Sequence, residues 1–131
     1  MLSTPYLINM KRVKNLTIVI MSFFYIWVGV KHFVDPKWFV HIMPPYLPFH
    51  YAAVYVSGFF EILFGFGLLI PKSRYYAAWG LILLLFAVFP ANIFLYQSKE
   101  AQEALGASQE IAAWRLPIQG ILIWVAYWIR K

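Results

Sequence analysis

Four apolar stretches, residues 16–30, 51–70, 75–96 and 111–129, alternate with short segments rich in proline or polar residues. A helix needs about 20 mainly apolar residues to cross the hydrocarbon core of a bilayer, and the last three stretches reach that length or nearly so. The first is short by itself, so its helix is expected to run on through His32, Phe33 and Val34. Pro36 then marks the break, because a residue preceding proline is biased away from helical geometry. The pattern predicts an all-α membrane protein, a four transmembrane helix bundle forming a single domain over residues 1–131. Its spans fall at about 14–34, 51–70, 75–96 and 111–129.

Residues 36–50 hold four of the eight prolines together with Trp38, Phe39, Tyr46 and Phe49, too proline-rich for a span and too aromatic for a free linker. One or two interfacial helical turns are expected up to Met43, followed by a rigid, extended Pro44-Pro45 segment. Residues 97–110, with Lys99, Glu100, Glu103 and Glu110, read as an exposed polar loop with some helical content. Within span three, Pro90 is expected to free carbonyls about one turn earlier and to kink the helix.

Composition strengthens the membrane reading: 63% hydrophobic against 12% charged residues leaves little room for a soluble domain. The basic lead-in Lys11, Arg12 and Lys14 before an apolar run looks like a signal peptide. No small-x-small cleavage site follows Val30, where Lys31-His32-Phe33 stands, so an uncleaved first span is expected. The net charge of +6 resides mainly at span ends and builds no basic stripe, so lipid and topology account for it and nucleic acid is not an expected partner. Lys11, Arg12, Lys14, Lys72, Arg74, Arg130 and Lys131 fall on one side. Lys31, Lys37 and Lys99 fall on the other, with Arg115 just inside span four. By the positive-inside rule both termini are cytoplasmic. The absence of cysteine excludes thiol redox chemistry, disulfides and thiolate metal sites.

One carboxylate breaks the second apolar stretch. Eleven Val, Leu, Ile or Phe residues give that stretch roughly −3 to −7 kcal/mol on the insertion scale, so it inserts despite about +3 for Glu61. Gly58, Glu61 and Gly65 recur at i, i+3 and i+7, with Ser57 one turn before the carboxylate, so Glu61 shares a face with the small residues. Small residues mark close helix approach, which turns Glu61 into the bundle. Span four has only eight such apolar residues, worth about −2 to −5 kcal/mol, and carries Arg115 and Gln119 one turn apart; it depends on the bundle.

Counting depth at 1.5 Å per residue puts Gln119 level with Glu61 and Arg115 roughly 6 Å nearer the outer surface. His32 at the end of span one and Asn92 near the end of span three belong to the same outer half. A Glu61–Arg115 ion pair is therefore expected, surrounded by Gln119, Asn92 and His32, with Tyr25 two turns below His32 as a further hydroxyl. Such a cluster is either a staple between helices, at about 1 kcal/mol per hydrogen bond, or a site for a small molecule, a quinone or a proton. Haem is not expected, because His32, His41 and His50 all fall at span ends or in the loop rather than facing each other across a bundle. His41 and His50 read as interfacial residues, and His32 equally as a helix cap or a proton-handling group. No metal-ligand or nucleotide motif is present.

The segments Trp27-Val28-Gly29-Val30-Lys31-His32-Phe33, Ile42-Met43-Pro44-Pro45-Tyr46-Leu47-Pro48, Ser57-Gly58-Phe59-Phe60-Glu61-Ile62, Phe89-Pro90-Ala91-Asn92 and Arg115-Leu116-Pro117-Ile118-Gln119 together resemble the DoxX-like family of small four-span bacterial membrane proteins, over about residues 16–130. The resemblance implies a four-helix bundle in the cell inner membrane and little biochemistry. That family is named for its likeness to the small subunit of a thiosulfate:quinone oxidoreductase. The leading expectation is a non-enzymatic or accessory membrane protein whose outward polar pocket takes a lipophilic molecule such as a quinone. Two other readings stand beside it: a quinone-linked redox accessory subunit with a soluble or membrane partner, and a small proton-coupled transporter. A transporter requires that Arg115 not be a permanent partner of Glu61.

Overall fold

The computed structural model describes residues 4–131. The chain passes through α1 (Thr4–Val34), α2 (Pro36–Val40), α3 (His50–Leu69), α4 (Arg74–Gln97), α5 (Lys99–Leu105) and α6 (Gln109–Ile129), with no strand among the described residues. Helices α1, α3 and α4 are each long and apolar enough to cross a membrane, which makes this an all-helical transmembrane protein. Helix α6 matches them in length at 21 residues but carries Glu110, Arg115 and Gln119.

The long helices pack in the order α1, α3, α4, α6, and α1 meets α6 over a short stretch only. Glycine sets the first contact. A Cβ built on Gly29 would lie 2.7 Å from the Gly58 carbonyl oxygen, and one on Gly58 would lie 2.5 Å from the His32 Cβ, so these backbones approach as closely as only glycine permits. Alongside, the Ser22 hydroxyl donates to the Gly65 carbonyl oxygen. Moving seven residues forward on α1, from Ser22 to Gly29, corresponds to moving seven back on α3, from Gly65 to Gly58; the pair is antiparallel.

Helices α3 and α4 are joined by a tight turn that satisfies the free carbonyls at the end of α3. Ser73 Oγ donates to the Gly67 carbonyl at 2.9 Å and Arg74 Nε to that of Leu68 at 2.8 Å. Gly80 makes room for the Phe64 ring. At the opposite end of the bundle Ser98 and Ser108 cap α5 and α6 by accepting from the amides of Ala101 and Ile111. Gly106, with φ 69°, ends α5 in the left-handed conformation that glycine accepts freely.

Two apolar clusters close the bundle. One, near the 70–73 turn, joins Ile18, Met21, Tyr25, Leu68, Leu81 and Ile129. The other, under α2 and α5, joins Ile42, Leu95, Ala101 and Ala112. The polar residues of interest lie between them.

Three local expectations are refined. Helix α1 begins at Thr4, not near residue 14, so most of the basic lead-in is an exposed helical extension that outruns the bundle; residues 1–3 lie outside the described residues. The Pro44-Pro45 segment is a turn, not an extended rod. Leu47 N–H donates to the Pro44 carbonyl at 3.1 Å, His50 Nε2 meets the same oxygen at 3.1 Å, and Pro44 is fully buried, so local hydrogen bonds and burial outweigh the extended preference of proline. Pro90 lies inside an unbroken α4.

Candidate functional site

Glu61 is buried on the α3 face that also presents Val54, Gly58, Gly65 and Leu68. Facing it on α1 is His32, also buried. Nδ1 of His32 lies 2.8 Å from the Val28 carbonyl oxygen and 3.2 Å from Glu61 Oε2. A carbonyl oxygen only accepts, so Nδ1 carries hydrogen and directs it to the backbone, and Glu61 Oε2 is left beside the ring without a hydrogen bond of its own. The Phe39 ring of α2 lies flat on the imidazole, centroids 3.9 Å apart and 17° between planes. His32 is thus both a helix cap and the neighbour of the carboxylate.

The expected Glu61–Arg115 ion pair does not form. Arg115 Nε instead donates to Asn92 Oδ1 at 3.2 Å. The same Asn92 donates through Nδ2 to Gln119 Oε1, and Gln119 Nε2 donates in turn to the Leu85 carbonyl oxygen. Leu85 precedes by one residue the Phe86 carbonyl that Pro90 cannot serve, so the polar chain gathers where proline disturbs the helix. The ion pair was expected from depth alone. Glu61 and Arg115 do line one cavity, but α3 and α6 lie across the bundle with α4 between them, and the acceptor on the adjacent helix takes Arg115.

That cavity measures about 400 Å³ and brings together His32, Glu61, Asn92 and Arg115, with Ser57 and Phe39 on its walls. Gln119 stands behind Asn92 rather than in the cavity. Tyr25 belongs to the apolar cluster below it, where its buried hydroxyl, like the Ser57 Oγ and Glu61 Oε2 oxygens, has no hydrogen-bond partner. Four of the six polar residues expected to converge therefore share a cavity, a fifth supports it, and the sixth is nearby. Phe39 was not foreseen; its sequence signal was only the general aromatic character of residues 36–50.

Chemically the cavity offers a carboxylate oxygen and a serine hydroxyl without protein hydrogen bonds, an arginine anchored through Nε alone, and walls that are otherwise mostly aliphatic or aromatic. It suits a mostly apolar molecule with a few polar atoms at one end, the usual composition of a ligand pocket. Among the described residues no group of His, Asp and Glu is arranged to hold a metal ion.

The fold and site thus define a small helical transmembrane protein with a polar cavity between two apolar plugs. Residues 21–130 match the family described as Domain of unknown function (DUF8561), and the chain belongs to that family. No curated protein and no solved structure matches it.

Proposed function

We propose that this is a four-span protein of the cell inner membrane, DoxX-like in character, with both termini in the cytoplasm, and that its outward-half cavity binds a lipophilic small molecule such as a quinone. The observation that carries the reading is Glu61 Oε2: a buried carboxylate oxygen without a protein hydrogen bond, on the wall of a cavity of about 400 Å³. Buried polar atoms without partners are costly, at about 1–3 kcal/mol each, and a ligand hydroxyl donating to Glu61 while its ring accepts from Arg115 would remove that cost. The apolar walls would take the ring.

The test is binding of a short-tailed quinone and its quinol to the purified protein, followed by quenching of tryptophan fluorescence. Glu61→Leu keeps the volume and removes the acceptor, so quinol affinity is expected to fall by about tenfold or more, the worth of one hydrogen bond to a charged group. Equal affinity in both proteins, or no binding to either, would refute the reading.

A second reading is favoured by the Arg115–Asn92 bond. With Arg115 engaged on α4, Glu61 has no permanently charged partner, only the titratable His32 imidazole at 3.2 Å, which is what a carboxylate that exchanges protons in a small transporter requires. Proton release on addition of ligand to wild type, absent in Glu61→Gln, would select this reading over passive binding.

A further inference from the structure

We propose that the polar cavity opens directly to the bilayer through a window between α3 and α4, and that its ligand is a single-tailed amphiphile whose head sits at Glu61 and Arg115 while its tail leaves between those helices. This rests on the cavity being a binding site, and it adds the route and the shape of what binds.

The argument begins with what closes the other sides. Between α1 and α3 the glycine contacts at Gly29 and Gly58 leave no gap. Between α4 and α6 the Asn92–Gln119 and Arg115–Asn92 bonds bridge the seam. Toward the α2–α5 end the cavity runs into Ile42, which is buried against Leu95 and Ala112. The α1–α6 side holds a second groove of about 400 Å³ that includes Trp27, Lys31 and Asp35, but Val28, Phe39 and Arg115 stand as the shared wall between it and the cavity. Phe39 is fixed there by its stack on His32 and its edge-to-face contact with Trp38 at 5.0 Å.

The α3–α4 side differs. Near the 70–73 turn these helices are in contact through Gly67 with Ala77 and Gly80 with Phe64. Higher up, the cavity wall is built of short aliphatic residues, Ala53 and Val56 from α3 and Leu84, Ala87 and Val88 from α4. Val56 is 54% exposed and Ala87 is exposed as well, so the wall they form also faces the surroundings. At that depth of a membrane helix the surroundings are lipid. A polar interior and an aliphatic rim facing lipid match one occupant, an amphiphile entering sideways with its tail still in the bilayer. A compact water-soluble solute has no use for that rim.

The native chain has no cysteine, so a single one reports cleanly. In Ala91→Cys, placed on the cavity wall beside Asn92, a lipophilic maleimide is expected to react faster than a charged, membrane-impermeant thiosulfonate, each taken relative to its rate with a free thiol in solution. Adding Ala87→Phe or Val56→Trp, both at exposed positions that folding tolerates, should slow the maleimide about tenfold, an added barrier of roughly 1.4 kcal/mol. Ile121→Phe, which adds similar bulk on the exposed face of α6 away from the cavity, should leave the rate unchanged. Fast reaction with the charged reagent, no reaction with either reagent in a folded protein, or a rate indifferent to both blocking substitutions would overturn the window. Because the readout is access rather than affinity, the window can fail while quinol binding stands, and the reverse.

Discussion

The Asn92 side chain uses both ends of its amide to join two helices: it donates to Gln119 and accepts from Arg115. Arg115 and Glu61, by contrast, share a cavity without touching. Stability should follow these contacts. In a detergent unfolding series, a double-mutant cycle of Asn92→Leu and Gln119→Leu is expected to show a coupling of about 0.5–1.5 kcal/mol, the range found for hydrogen bonds between membrane helices. The cycle of Glu61→Gln with Arg115→Gln should give a clearly smaller coupling. A larger value for the second cycle would mean that the carboxylate and guanidinium are direct partners. The staple role that an intramembrane ion pair would have filled falls to the Asn92–Gln119 link and to the Ser22–Gly65 bond.

Between elements, the α1–α3 contact is the tightest and the most exposed to substitution. Gly58→Ala would force a methyl to within 2.5 Å of the His32 Cβ and 2.9 Å of the Gly29 carbonyl. The helices must separate, at an expected cost of about 1–3 kcal/mol, the usual range for overpacking. Since His32 moves with them, the geometry around Glu61 should change too, and ligand affinity with it. Gly120 on α6 has nothing within 4 Å of a built Cβ, so Gly120→Ala is expected to leave stability within about 0.5 kcal/mol, as surface changes do. Thermal unfolding in the same detergent compares the two; equal losses would show that the glycines of α3 are not packing positions. Helix α2 belongs to this scale as well. Five residues long, it has no buried side chain and is positioned by Phe39 on His32.

For the whole molecule, the topology turns on whether α6 crosses the membrane. It packs along α4 as the fourth long helix, but it is less apolar than the other three. A reporter fused after Lys131 and another inserted between Gly106 and Ala107 decide it. If α6 spans, the first reads cytoplasmic and the second reads outside. Reporters on the same side would place α6 along the surface and reverse the depth argument for Arg115 and Gln119.

The hydrophobic pattern by itself determined the helices, because apolar length and the proline breaks at 36 and 71 are local properties of the chain. It also determined that Glu61 faces inward, since Gly58, Glu61 and Gly65 share one face whatever packs against it. Residue spacing set an expected level for each polar residue along its helix, and so a list of those that could meet. Only the tertiary structure decided which of them do. Rise per residue says nothing about the order of helices around the bundle axis, and that order put Asn92, not Glu61, next to Arg115. In the same way the tertiary structure placed His32 against Glu61 and laid Phe39 over His32. Its packing left a cavity between two apolar plugs, because neighbours across a bundle are set by how the surfaces of separate helices fit, and no local stretch of sequence records that fit.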